Sequence, residues 1–418
     1  MQVAVVGAGI IGVCTAWYLC EHGFDVIVVD RADGVARETS AGNAGVVAPG
    51  YVTPWAAPGM PGKIVSYLFA RHAPVLFRPA MDPRQWRWIA RWLRECRLER
   101  YRTNRRRMQR IAFYSRAQLH ELRNALGIDY HQSNGYLQLF RSDRDLALAG
   151  PARALLDEQS IPYRMLDAGA CRELEPQLDP STPLAGGLLL PDDESGDCPM
   201  FAEALQHAAE ACGVRFRFGC RIRSILIEGG RVRGLATADG ERIAAAAVVV
   251  AAGPDSVHLL RPAGIDLPLY PVKGYSATVP LTQAGAGPGR ALMDEAYKTA
   301  ITPLGDRIRV AGTAELGSAT LSLREAALHT LIKVGRDWFP DAARWDDAAF
   351  WVGARPMLPD GPPVLGSTPV AGLFLNIGHG STGWAMACGS GRIVADIVAG
   401  AKPGIDLEGL TLARYRRA

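Results

Sequence analysis

The sequence predicts a mixed α/β and α+β chain: a part built on parallel βαβ units, and a second part of antiparallel sheet and helices. Three observations predict it. The chain opens on Val3-Ala-Val-Val-Gly7-Ala-Gly9-Ile-Ile-Gly12, then a helical stretch, then Gly23-Phe-Asp-Val-Ile-Val-Val-Asp30. Far downstream, Leu373-Phe-Leu-Asn376-Ile-Gly378 runs into His379-Gly380-Ser381-Thr382-Gly383-Trp384 and a helix through Ala395. Between them, Lys298 to Ala311 has the pattern of a hairpin around Gly305-Asp306.

The opening segment is a strand, three glycines spaced G-x-G-x-x-G, a helix, and a second apolar strand ending in one acid. That is the Rossmann-like unit that holds the adenosine half of a dinucleotide. Gly7 allows the tight turn, Gly9 admits the pyrophosphate, and Gly12 lets the helix pack on the strand. Ala8, Ile10 and Ile11 lie between them at the helix N-terminus, whose free N–H groups suit phosphates. Asp30, with Arg31 beside it, is placed to accept from the ribose hydroxyls. The motif leaves NAD and FAD open. Val3 to Cys20 carries no charge, yet it is neither a signal peptide, lacking a basic start, nor a span, since three glycines interrupt it.

The chain has 418 residues, 48% hydrophobic and 21% charged, enough for two or three soluble domains. A net charge of +4 points to no particular partner, and none to nucleic acid. Its eight cysteines form no C-x-x-C and no zinc-like cluster with histidine. Reduced thiols in a cytoplasmic setting, and no metal, are expected.

Along the chain, Ser40, Ala41, Asn43, Ala44 and Gly45 make a small, amide-bearing segment suited to close backbone approach. Residues 84–110 hold eleven arginines among Trp86, Trp88 and Trp92. Trp86, Ile89, Leu93 and Cys96 fall at helical spacing. Such a stripe commonly faces its own core; a basic helix with aromatics also suits an anionic membrane surface. Pro199 opens a helix to Cys212, and strands follow at Val214–Phe218, Arg223–Ile227, Arg231–Thr237 and Ala246–Ala252. The last ends in Ala252-Gly253, small residues suited to a chain passing a nucleotide. Tyr136–Arg141 and Tyr270–Pro280 read as strands, and Ser322–Phe339 as a helix.

No G-x-S-x-G elbow, P-loop or H-E-x-x-H is present, so hydrolase and kinase readings lack support. Arg355, after an apolar strand and before Pro356, could grip a carboxylate through two N–H groups. A surface ion pair is the commoner role for such a residue. The Gly378–Gly383 turn (Gly378, Gly380, Ser381, Thr382, Gly383) adds a second ligand-facing turn, which suits a long flavin dinucleotide better than a nicotinamide one.

These strings together resemble the D-amino-acid oxidase-like FAD oxidoreductases. The likeness rests on Ser40–Gly45, Pro49-Gly-Tyr51, Pro54-Trp-Ala-Ala-Pro58-Gly59, Tyr114-Ser115, Asp193-Glu-Ser-Gly-Asp-Cys198, Tyr270-Pro-Val-Lys-Gly-Tyr275-Ser276, Arg355-Pro356 through Gly361, and Gly378–Trp384. It covers essentially the whole chain and lies nearest the bacterial dehydrogenase branch. It implies FAD, with no cysteine in Gly353–Asp360 for covalent attachment. It implies Arg355 as the carboxylate grip, with Tyr275 and His379 lining the site. It implies oxidative deamination of D-amino acids such as D-alanine to a 2-oxo acid and ammonia, by hydride transfer from Cα to flavin N5. Electrons would pass to a quinone or respiratory carrier, in the cytoplasm or at the cytoplasmic face of the inner membrane. An imino-acid dehydrogenase, an oxygen-using oxidase and a non-catalytic FAD subunit are the alternatives. The expected division is 1–80, 165–265 and 350–418 for the FAD-binding domain, and 81–164 and 266–349 for the substrate domain.

Overall fold

The computed structural model describes residues 1–67, 72–317 and 320–415. Two sheets organise them. The first has six strands in the order Val364–Ser367, Leu373–Ile377, Ala247–Val250, Gln2–Val6, Asp25–Val29 and Arg215–Arg217. All its pairings are parallel except that of Val364–Ser367. Its central strands are buried on both faces, which is why they read as unbroken Val/Ala/Ile runs.

Helices Ile10–Glu21, Cys198–Cys212, Gly383–Val398 and Leu98–Leu126 share the core on one face. A three-stranded antiparallel sheet (Ile222–Glu228, Arg231–Thr237, Arg242–Ala244) and Ser256–Leu260 cover the other. Helix Gly383–Val398 approaches two neighbours closely because it is glycine-bearing. A Cβ at Gly389 would lie 2.8 Å from the Ser115 backbone, and one at Gly391 2.9 Å from that of Cys14.

The second sheet has ten strands. Its main path runs Ala349–Met357, Tyr270–Pro280, Arg307–Leu316, Thr299–Leu304, Ala291–Asp294, Ser133–Phe140, Gly186–Ser195 and Val46–Val47. The expected hairpin is present: Leu304 pairs with Arg307 across Gly305-Asp306, with Gly305 at φ +66°. Helix Glu325–Trp338 packs on one face through Ala327, Leu331, Val334 and Trp338.

Four expectations change. Helix Leu98–Leu126 belongs to the core of the first sheet, because Met108, Ile111, Ala112, Leu119 and Leu122 make one apolar stripe against it. Strands Gly186–Ser195 and Ala349–Met357 pair into the second sheet, so the anticipated division is crossed at both places. Helix Pro83–Glu95 buries Gln85, Trp88 and Trp92, one position round from the expected stripe, and leaves Trp86 and Leu93 exposed. Cys20 and Cys212 are joined as a disulfide with Cα atoms 6.4 Å apart, where reduced thiols were expected. The other six cysteines are free.

Candidate functional site

The βαβ crossover needs its glycines for steric reasons visible in place. Gly7 has φ +110°, donates its N–H to the Val29 carbonyl at 2.9 Å, and would bring a Cβ 2.5 Å from the Ala251 carbonyl oxygen. A Cβ at Gly12 would overlap the Gly7 carbonyl oxygen. Any side chain there lifts the helix off the strand. The Asp30 carboxylate accepts from Ala8 N–H at 2.5 Å and Ala32 N–H at 2.8 Å. Each carboxylate oxygen has lone pairs to spare for hydroxyl donors. Ser40 Oγ accepts from Ile10 N–H at 3.1 Å, capping the helix whose end faces the ligand space.

A cavity of about 450 Å³ runs across this turn. Gly7, Ala8, Gly9, Ile10, Ile11, Asp30, Arg31, Ser40, Asn43, Ala252 and Gly253 line it, and so do Gly378, His379, Gly380 and Gly383 from the distant turn. The two ends of the sequence therefore meet on one cavity. Arg31 spends its guanidinium on Glu38 at 2.6 Å and on Asp255, tying two walls together. Ala41, Ala44 and Gly45 do not line the cavity. They belong to a loop held by the second sheet: Arg309 Nη1 donates to the carbonyls of Ala41 (2.7 Å) and Asn43 (3.0 Å), and Thr302 Oγ1 to that of Ala44 (2.7 Å). Gly12, Ser381 and Thr382 also stand behind the lining.

Beside the cavity, buried polar atoms lack protein partners. Asn376 Oδ1 and Trp384 Nε1 are orphaned on lining residues, and Thr382 Oγ1 in the turn behind them. A buried unpaired polar atom costs about 1–3 kcal/mol, so their grouping fits a polar ligand. Cavity size, glycine cradle, helix N-terminus and orphaned polar atoms all suit a flavin dinucleotide.

Arg355 lies on strand Ala349–Met357, whose Met357 bridges to His379; Pro356 lines the cavity. Its Nη atoms reach only the carbonyls of Lys273 (3.4 Å) and Gly312 (3.5 Å), and among the described residues it has no carboxylate partner. Burial pulls its pKa down to about 10. Its guanidinium fills the space where Gly274 lacks a side chain, with Nε 2.7 Å from a Cβ built there. A half-buried guanidinium with no anion beside it among the described residues has N–H groups to spare for a carboxylate.

His379 is buried, and burial pushes its pKa down to about 3; its Nε2 lies 3.0 Å from Ser390 Oγ. Tyr275 does not line the cavity and faces away from Arg355. Cross-strand pairing puts Val272, Gly274 and Ser276 on the face of Arg355, Gly353 and Trp351, so Lys273 and Tyr275 take the opposite face. There the Tyr275 hydroxyl donates to Glu315 Oε2 at 2.5 Å, beside the Lys273–Glu315 ion pair at 2.7 Å.

Several residues escaped the sequence reading. Arg309 gives no sequence signal, being one arginine in a strand. Asn376 does give one: it is the polar residue in an otherwise apolar strand. Trp351 fills the space beside Gly42 and Gly353, between the 40–45 loop and the sheet, and paired glycines around a tryptophan could have marked it.

Residues 2–397 match the family described as FAD dependent oxidoreductase. The chain belongs to that family. FAD is therefore its cofactor. A protein of Rhizorhabdus wittichii named D-amino acid dehydrogenase is 49% identical over 99% of this chain and all of its own length. One of Rhizobium johnstonii with the same name is 50% identical over the same shares. Among solved structures, glycine oxidase of Geobacillus kaustophilus superposes over all of both chains with a TM-score of 0.76 at 24% identity. L-proline dehydrogenase of P. horikoshii does so over 99% of this chain and 97% of its own, with a TM-score of 0.73 at 17% identity. At such identities these two establish the shared fold.

Proposed function

We propose that this family member is a D-amino-acid dehydrogenase, oxidising D-amino acids such as D-alanine to 2-oxo acid and ammonia with non-covalently held FAD. The observation that carries the reading is Arg355, a half-buried guanidinium without an anion, one residue before Pro356 in the wall of the cavity. The name of relatives about half identical over full length supports the substrate class.

Asp30, the Gly7–Gly12 turn and the capped helix end would hold the adenosine and phosphates; the Gly378–Gly383 turn would hold the ring end. Bound FAD supplies a two-electron acceptor for the hydride leaving the substrate Cα. Arg355 binds the substrate carboxylate through two N–H groups and fixes the orientation of Cα, an entropic contribution paid on binding. His379 stays neutral at working pH, so it shapes the wall and stores no proton. The α-amine gives up its proton to solvent. Water then hydrolyses the imino acid.

The acceptor we infer is a quinone, reached at the cytoplasmic face of the inner membrane. Among the described residues no helix is long and apolar enough to cross a membrane. Anaerobic addition of D-alanine should bleach the flavin, and a soluble quinone should restore it faster than oxygen does. A flavin left oxidised by every D-amino acid tried defeats the proposal.

A further inference from the structure

We propose that helix Pro83–Glu95 docks this protein on an anionic lipid surface, with the exposed side of the helix as the contact. This rests on surface chemistry alone and stands apart from the substrate reading.

The helix is apolar further round than its own core requires. At roughly 100° per residue, Gln85, Trp88 and Trp92 form the buried side. Ile89 and Cys96 flank it half-buried, and Trp86, Ala90 and Leu93 continue the apolar sector into solvent. Trp86 is 48% exposed, Leu93 46% and Met81 105%. A globular helix normally ends its apolar stripe where its contacts end.

The exposure at the helix start is unforced. Asp82 caps the helix, accepting from Arg84 N–H at 2.9 Å, so Met81 and Trp86 occupy the two positions of a hydrophobic staple. The staple is open. Trp86 instead meets Phe77 edge-on at 6.0 Å and donates its Nε1–H to the Ala80 carbonyl at 2.9 Å. That leaves Met81 projecting and one face of the indole free.

The remaining sector is cationic. Arg84, Arg87, Arg91 and Arg94 lie beside the apolar one, and residues 84–110 carry eleven arginines against Glu95 and Glu99. Arg84 pairs with Asp82 at 3.1 Å and Arg100 with Glu95 at 2.7 Å. Among the described residues, Arg87, Arg91, Arg94 and Arg97 have no ion pair. Unpaired guanidinium groups beside an exposed Trp, Leu and Met are the two faces of a helix lying in a lipid interface, apolar side down and charges at the headgroups. An acidic protein would satisfy the arginines but would not call for a projecting Met81. Charge and apolar sector together select anionic lipid.

The test is co-sedimentation of the full-length, FAD-loaded protein with vesicles. An equal mixture of phosphatidylglycerol and phosphatidylcholine should bind it, and phosphatidylcholine alone should bind it far less. Added salt should release it. R87Q/R91Q/R94Q should lower partitioning about a hundredfold, at about fivefold per arginine, with flavin spectrum and melting temperature unchanged. W86S/L93S should weaken binding with the charges intact. No binding to the anionic vesicles, equal binding to both lipids, or wild-type binding by the triple variant would each overturn the proposal. So would binding that appears only with membranes retaining their native proteins, which would assign this face to a protein partner.

Discussion

Replacing Arg355 with methionine should make the ligand-free protein more stable while removing its activity. Burial holds the guanidinium at about 10 against its ordinary 12.5, which corresponds to about 3 kcal/mol of uncompensated cost at neutral pH. The sign follows from linkage. A basic group with a depressed folded-state pKa destabilises the fold wherever it is charged in both states, hence at every pH below about 10, and the cost fades as pH rises past that. Methionine keeps most of the side-chain length and carries no charge. For 418 residues, 3 kcal/mol raises Tm by about 3–4 °C. Activity should move the other way. Two charge-assisted hydrogen bonds to a carboxylate contribute about 1.5–3 kcal/mol each, so kcat/KM for D-alanine should fall about 10²–10⁴-fold, with flavin content unchanged. Differential scanning fluorimetry on apo and FAD-loaded protein, with steady-state turnover on a dye acceptor, reads both. A lower Tm refutes the burial cost, and an unchanged kcat/KM refutes the carboxylate role.

Three further outcomes are expected. Gly12→Ala should yield protein without bound FAD, because its Cβ meets the Gly7 carbonyl, whereas Gly9→Ala, whose Cβ meets only Ser40 Oγ at 3.3 Å, should retain part of it; flavin absorbance per chain decides, and full occupancy in the Gly12 variant would contradict the steric account. Tyr275→Phe should cost about 1–3 kcal/mol in denaturant unfolding by removing a donor to buried Glu315, yet leave kcat/KM within twofold; a large activity loss would return Tyr275 to the site. His379, held at about 3 against an ordinary 6.5, takes up a proton in the unfolded chain long before the folded one. Stability should therefore fall with pH by about 2 kcal/mol between pH 6.5 and 5 from this group. His379→Asn should remove that loss in guanidinium titrations at the two pH values, and an identical pH slope in the variant would rule the group out as its source.

The elements that the sequence made legible are those whose signal is local. Glycine spacing and short apolar runs located the opening crossover, the Gly305-Asp306 hairpin and the Leu373–Gly383 turn. Sidedness was harder. On helix 83–95, two tryptophan-bearing stripes run side by side, Gln85/Trp88/Trp92 and Trp86/Ile89/Leu93, and only the neighbouring strands decide which is buried. Tyr275 stands in a recognisable string, yet its face is fixed by pairing with Val352 and Gly312, hundreds of bonds away along the chain. The Cys20–Cys212 pair spans 192 residues, a separation at which sequence carries no pairing information. Arg309, which holds the 40–45 loop, is visible only once two sheets are in place.

The strand order of the first sheet also sets a timetable. Gln2–Val6 and Asp25–Val29 pair at once, but their sheet is completed by Ala247–Val250 and then Leu373–Ile377. Some 350 residues separate the second strand from the last of these, which at about 5–20 residues per second is roughly 20–70 s of synthesis. Throughout that interval the cavity is incomplete, even once Ala252 and Gly253 have joined the glycine turn. The opposite wall, with Asn376, His379 and Trp384, arrives only with the final stretch of chain. The complete cavity thus exists only once translation is nearly finished, and a nascent chain stalled before residue 373 has an unpaired strand edge at Ala247–Val250 in place of that wall.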